Sequence, residues 1–180
     1  MIYCNLRIVN EITCININFQ LLKFLLDLSN GLAVNFFSFA FSVFVLSNAT
    51  RVHRSEIFDA LRKVDNPIMK IDAPTNALAA IINKPAPGYD IDSVVAALEK
   101  FNGDFVLQTC MLRCDNFDSS NPKILNGWMD IVRHLRPRNI MVYTIDRPTP
   151  QSGLKKFTPD EMRHLVQPLI DEGFNIQIKG

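Results

Sequence analysis

From Val43 onward, short apolar runs alternate with stretches whose apolar residues recur every three or four positions. Residues 43–46 form the first run, which ends in the polar turn Ser47-Asn48. Ser55 then reads as the cap of a helix with Ile57, Phe58, Leu61 and Val64 on one face. Residues 67–72 predict a second strand, and Thr75 caps a short helix through Ile82 that the Pro-rich stretch 83–88 breaks. Ile91, Val94, Val95, Leu98 and Phe101 line one face of the next helix, with Gly103 as its stop. Residues 104–109 read as a buried strand. Asn121 and Pro122 open a helix that turns Ile124, Leu125, Trp128, Ile131, Val132 and Leu135 inward. Residues 139–145 are the clearest strand. Thr158 and Glu161 have the spacing of a capping box, opening a helix that buries Met162, Leu165, Val166, Leu169 and Ile170 and stops at Gly173. Residues 174–178 close the pattern.

Strands starting near 43, 68, 105, 140 and 174 with helices between them are successive βα units. The pattern predicts an α/β fold with about five strands and helices outside: a partial (β/α) barrel, or an open parallel sheet of the doubly wound kind. Five strands do not close an eight-stranded barrel.

Composition divides the chain near the same point. All ten prolines lie at or after Pro67, whereas seven of the thirteen phenylalanines lie at or before Phe44. Only Arg7, Glu11, Lys23 and Asp27 are charged in the first fifty residues. The organisation expected is therefore an irregular apolar N-terminal segment, 1–42, followed by the α/β unit, 43–180. Residues 24–46 are long enough to span a membrane, and Arg51 and Arg54 would suit its cytoplasmic flank. Asn30, Gly31, Asn35 and three serines dilute that run, so a buried lead-in to the first strand is preferred and a membrane is not expected. A secretory signal fits worse, since Arg7 is the only early basic residue and no small-residue cleavage site follows.

The net charge of +1 removes a global basic surface, so no nucleic-acid partner is expected. Cys4, Cys14, Cys110 and Cys114 are too few and too uneven for a disulfide scaffold. Reduced thiols and a cytoplasmic location follow.

Parallel α/β folds bind ligands at the carboxyl ends of their strands. Here those ends carry Ser47 and Asn48, Lys70 and Asp72, Gln108 and Thr109, and Thr144 with Asp146 and Arg147. Lys70 and Asp72 share a face if extended, either as a mutual salt bridge or as part of a site. Thr144 and Asp146 read as a turn. Cys110 and Cys114 lack the further ligands that a zinc or iron–sulfur site needs, because position 117 is Phe. They are expected to be free or buried thiols, so no metal ligand is assigned. The histidines, His53, His134 and His164, show no ligand spacing. No GxGxxG or GxxxxGK[ST] string occurs.

The strings FVLSNAT (44–50), MKIDAPT (69–75), INKPAPGYDID (82–92), DFVLQT (104–109) and IMVYTIDRPTP (140–150) resemble the later part of a radical S-adenosylmethionine enzyme domain. Uncharacterised bacterial iron–sulfur oxidoreductases are the members most like it. The resemblance covers about three quarters of the chain and implies a partial (β/α)6 barrel. It implies that Ser47 and Asn48 lie near S-adenosylmethionine and that Lys70 and Asp72 contact its ribose or amino acid part. Gln108 and Tyr143 would take comparable positions on the next two strands. It also implies a 4Fe–4S cluster, held by a CxxxCxxC loop after the family's first strand. That string is missing here, as is the Gly-Gly-Glu string expected after the second strand.

The function expected is therefore that of a fragment of a radical S-adenosylmethionine enzyme, inactive alone. The alternative is a non-catalytic α/β binding module, tethered to a membrane through residues 24–46. A barrel without its first strands exposes the edge of the strand at 43–46 and invites self-association, unless residues 15–42 cover it. The substrate is not legible.

Overall fold

The structure, a computed structural model, describes residues 44–146 and 153–180 together with two short strands, β1 (Ile8–Val9) and β2 (Ile12–Thr13), paired antiparallel. The other residues of the N-terminal segment, Cys4 and Cys14 among them, and Arg147 lie outside the described residues.

A five-stranded sheet forms from β3 (Phe44–Ser47), β4 (Asn66–Lys70), β5 (Val106–Cys110), β8 (Asn139–Tyr143) and β10 (Ile176–Lys179). All four pairings are parallel, and the spatial order β10-β8-β5-β4-β3 follows the chain without reversal. This order decides between the two architectures the sequence allows. A doubly wound sheet reverses direction at a switch point. An unreversed run of right-handed crossovers places every helix on the same face, as in a barrel wall. The chain is a partial (β/α) barrel.

Between the strands lie α1 (Ser55–Leu61), α2 (Asn76–Ile82), α3 (Ile91–Glu99), α4 (Pro122–Leu135) and α5 (Pro159–Asp171). The caps read from the sequence at Thr75, Asn121 and Thr158 form: each side-chain oxygen accepts a backbone N–H of the first turn, and the Thr158–Glu161 box is reciprocal. Ser55 does not cap α1. Arg54 takes that position without a side-chain bond, and the Ser55 hydroxyl turns to Glu56.

Met69, Leu107 and Ile140 align across β4, β5 and β8 and are fully buried against the helices. Phe58, Phe101 and Phe105 meet edge to face, with centroids 4.8 and 6.0 Å apart, where α1 and α3 press on the sheet. Gly103 ends this helix as expected. Its φ is +80°, and a Cβ there would lie 2.5 Å from the Arg136 carbonyl oxygen.

A second sheet caps the carboxyl ends and has no counterpart in the sequence reading. It joins β6 (Leu112–Cys114), β7 (Phe117–Asp118) and β9 (Lys155–Lys156), all antiparallel. The Asp115-Asn116 turn makes β6 and β7 a tight hairpin.

Phe44–Leu46, the end of the run considered as a membrane span, is extended and paired with β4, so it is not part of a spanning helix. No helix among the described residues is long and apolar enough to cross a membrane.

Candidate functional site at the carboxyl ends of the strands

Side chains alternate across a sheet, so the register separates two sets. The buried row Met69–Leu107–Ile140 faces the helices. The alternate rows face the other way: Lys70 beside Gln108 and Met141, then Cys110 beside Tyr143 and Lys179. Lys70, Gln108, Cys110 and Tyr143 are all half-buried. Polar groups thus collect on the face opposite the helices, which in a barrel is its interior.

Lys70 and Asp72 form the ion pair considered from their spacing. The Asp72 side chain is only 2% exposed and that of Lys70 is 23% exposed, so the carboxylate sits behind the ammonium. Asp72 Oδ1 also accepts the backbone N–H of Cys110 at 2.8 Å. Lys70 Nζ reaches Asn83 Oδ1 at 3.5 Å. Asn83 ends α2, and the connection that follows carries Tyr89 near Asp72. Burial first, then the charges of Asp72 and Asp90, push the Tyr89 phenol up to about 12. Asn83 and Tyr89 lie in the resembling string 82–92, but neither was named as a site residue.

Ser47 and Asn48 stand apart from this group. Ser47 aligns with the core residue Met69, and its hydroxyl accepts the N–H of Ala49 at 3.1 Å. Asn48 is exposed, and its Oδ1 accepts the Thr50 N–H at 3.2 Å. Both hold the turn around Ala49, a buried residue with φ +57°. Thr144 is buried and joins distant segments. Its hydroxyl donates to the Met111 carbonyl and accepts the Phe157 N–H, both at 3.0 Å. Trp128 belongs to the core, and its Nε1–H donates to Thr109 Oγ1 at 3.0 Å.

Cys110 and Cys114 are free, half-buried thiols. Burial, and next the charge of Asp72, raise Cys110 to about 12, and Lys70 and a hydrogen bond with Tyr143 only partly oppose them. A cluster ligand must be a thiolate, which Cys110 resists becoming. Among the described residues, no group of three or more His, Cys, Asp or Glu side chains could hold a metal ion. The described residues do not fit an iron–sulfur cluster.

No protein-family model matches the chain, and no curated protein matches it. Solved structures do. A domain of pyruvate-formate lyase-activating enzyme from Bacteroides vulgatus is similar at a TM-score of 0.61 and 11% identity, over 90% of this chain and 93% of that one. A radical SAM methyltransferase from Sphaerobacter thermophilus gives 0.57 at 14% identity, over 75% of this chain and 39% of that one. SuiB from Streptococcus suis, solved bound to S-adenosylmethionine, gives 0.54 at 14% identity. That match spans 77% of this chain and 33% of SuiB, so the chain spans well under half of either larger protein. Taken with the unreversed parallel sheet, these likenesses identify the chain as having, in part, the fold of the radical S-adenosylmethionine enzymes.

Proposed function

We propose that residues 44–180 are the later strands of a radical S-adenosylmethionine barrel and bind S-adenosylmethionine at the carboxyl ends of β4, β5 and β8. In this reading Lys70, Asp72, Gln108 and Tyr143 supply the polar contacts, and Ser47 and Asn48 shape the turn beside them. One observation carries it: half-buried polar side chains converge on the face of an unreversed parallel sheet opposite its helices. An ammonium, a carboxylate, an amide and a phenol there match the charged and hydroxyl groups of S-adenosylmethionine. The similarity to SuiB, solved with that molecule bound, adds support.

The chain does not cleave S-adenosylmethionine reductively on its own. That chemistry requires an iron–sulfur cluster to deliver the electron, and the CxxxCxxC string that would hold one is missing from the sequence. In this reading it is part of an oxidoreductase-type radical enzyme of the cytoplasm, and β3, the terminal strand among those described, is the edge proposed for self-association.

Titrating the full chain with S-adenosylmethionine by calorimetry tests the binding. One site is expected, weakened about tenfold or more by Lys70→Ala, the loss of one charge-assisted contact. No binding by the unaltered chain would overturn the reading.

A further inference from the structure

We propose that a cleft between the end of α2 and the tip of the β6–β7 hairpin binds a free α-amino acid with an apolar side chain. The site is separate from the one proposed for S-adenosylmethionine and does not depend on that reading.

The cleft holds about 310 Å3, which is room for one small ligand. Ile81 and Lys84 line it from α2 and the residues just after it, and Cys114, Asp115 and Asn116 line it from the hairpin. An ammonium and a carboxylate are thus brought to one concave surface. Both Lys84 and Asp115 are exposed, and among the described residues neither side chain has a hydrogen-bond or ion-pair partner. They do not neutralise each other, so both charges are left for a ligand. A simple anion would be drawn to Lys84 but repelled by Asp115, and a simple cation would meet the reverse. A ligand carrying a carboxylate and an ammonium on one carbon satisfies both. The Asn116 amide can donate to the first or accept from the second. Ile81 and the Cys114 thiol, both half-buried, supply an apolar floor for the side chain.

The two walls are fixed before any ligand arrives. Ile81 and Cys114 pack against the same buried cluster, which contains Ala79 and Phe117. Cys114 pairs with Phe117 across the hairpin. The Ser119 hydroxyl accepts the Leu112 N–H and donates to the Leu112 carbonyl, both at 3.0 Å, which locks the base of the hairpin. On the other wall, Asn83 Oδ1 accepts from Lys70 Nζ at 3.5 Å and ties the end of α2 to β4. Lys84 follows with φ +43°, a left-handed backbone that is uncommon for lysine and ordinary for glycine. A site held this way loses little freedom on binding.

The test titrates the isotope-labelled full chain with L-leucine and follows its backbone amides by NMR. Two further probes are isopentylamine, which is leucine without the carboxylate, and isocaproate, which is leucine without the ammonium. Leucine is expected to shift the amides of residues 80–84 and 114–116 and to bind about fivefold tighter than either probe, the effect of one exposed ion pair. Lys84→Gly gives that backbone the residue it suits, so the fold is kept. Its preference for leucine over isopentylamine should disappear while the preference over isocaproate stays. Asp115→Asn should do the converse. Absence of leucine shifts at these residues overturns the inference, and so does any outcome in which the two preferences are not lost separately in the two variants.

Discussion

The backbone N–H of Cys110 donates to Asp72 Oδ1 at 2.8 Å, tying the carboxyl end of β5 to that of β4 above the last ladder bonds. Asp72 therefore has two partners, this N–H and the Lys70 ammonium. Asp72→Ala strands the cation and leaves the Cys110 amide without its acceptor, and should cost about 3 kcal/mol. Asp72→Asn keeps an acceptor for the amide and should cost less. Urea denaturation of both variants checks the order, and equal costs would show that the amide bond contributes nothing.

A second bridge lies on the helix side. Thr109 Oγ1 donates to the Ile71 carbonyl at 2.8 Å and accepts the indole N–H of Trp128 at 3.0 Å. Thr109→Val leaves a buried indole N–H unsatisfied, at about 1–3 kcal/mol. Thr109→Ser keeps the hydroxyl and should lose less. Because Trp128 is the single tryptophan, its fluorescence reports both unfolding curves directly.

The thiol at Cys110 makes a pH prediction. Its pKa is raised from the ordinary 9.0 to about 12 by burial and by Asp72. The folded state thus holds a proton that the unfolded chain gives up first. The associated stability is whole below about pH 9 and falls as pH rises toward 12. Iodoacetamide should accordingly label Cys110 in the folded chain very slowly at pH 8, with the rate climbing only at strongly alkaline pH. Rapid labelling of Cys110 at pH 8, read by mass spectrometry, would contradict the half-buried, protonated thiol.

Arg113 is the clasp of the small antiparallel sheet. Its guanidinium bonds Glu161 at 3.1 Å, lies 3.6 Å from an Asp118 oxygen and stacks 3.6 Å above the Phe157 ring. Glu161 is held below the usual carboxylate range by the Thr158 amide first and by Arg113 second. Arg113→Ala should cost about 1 kcal/mol overall. Amide exchange within the small antiparallel sheet should quicken while the five-stranded sheet keeps its protection.

What the sequence revealed and what it hid follow from how local each signal is. Caps at Thr75, Asn121 and Thr158 are decided within one helical turn, and all three form. The βα alternation foretold the parallel sheet, but only the strand order chose the barrel wall over the doubly wound form. The small sheet was missed because its key pairing joins Leu112 to Lys156 across more than forty residues. Ser47 was grouped with Lys70, yet β3 pairs Ser47 with Met69 on the helix side. That assignment depends on register, where a shift of one residue reverses the face. Asn83 lies in the resembling string 82–92 without being named for the site; only folding the end of α2 toward β4 brings its Oδ1 to Lys70.

The central claim is a barrel wall able to bind S-adenosylmethionine but without a cluster of its own. Anaerobic reconstitution of the full chain with iron and sulfide, followed by absorbance and incubation with S-adenosylmethionine and a reductant, tests it most directly. The account predicts no stoichiometric 4Fe–4S absorbance and no cleavage of S-adenosylmethionine. A full cluster that supports cleavage would contradict it.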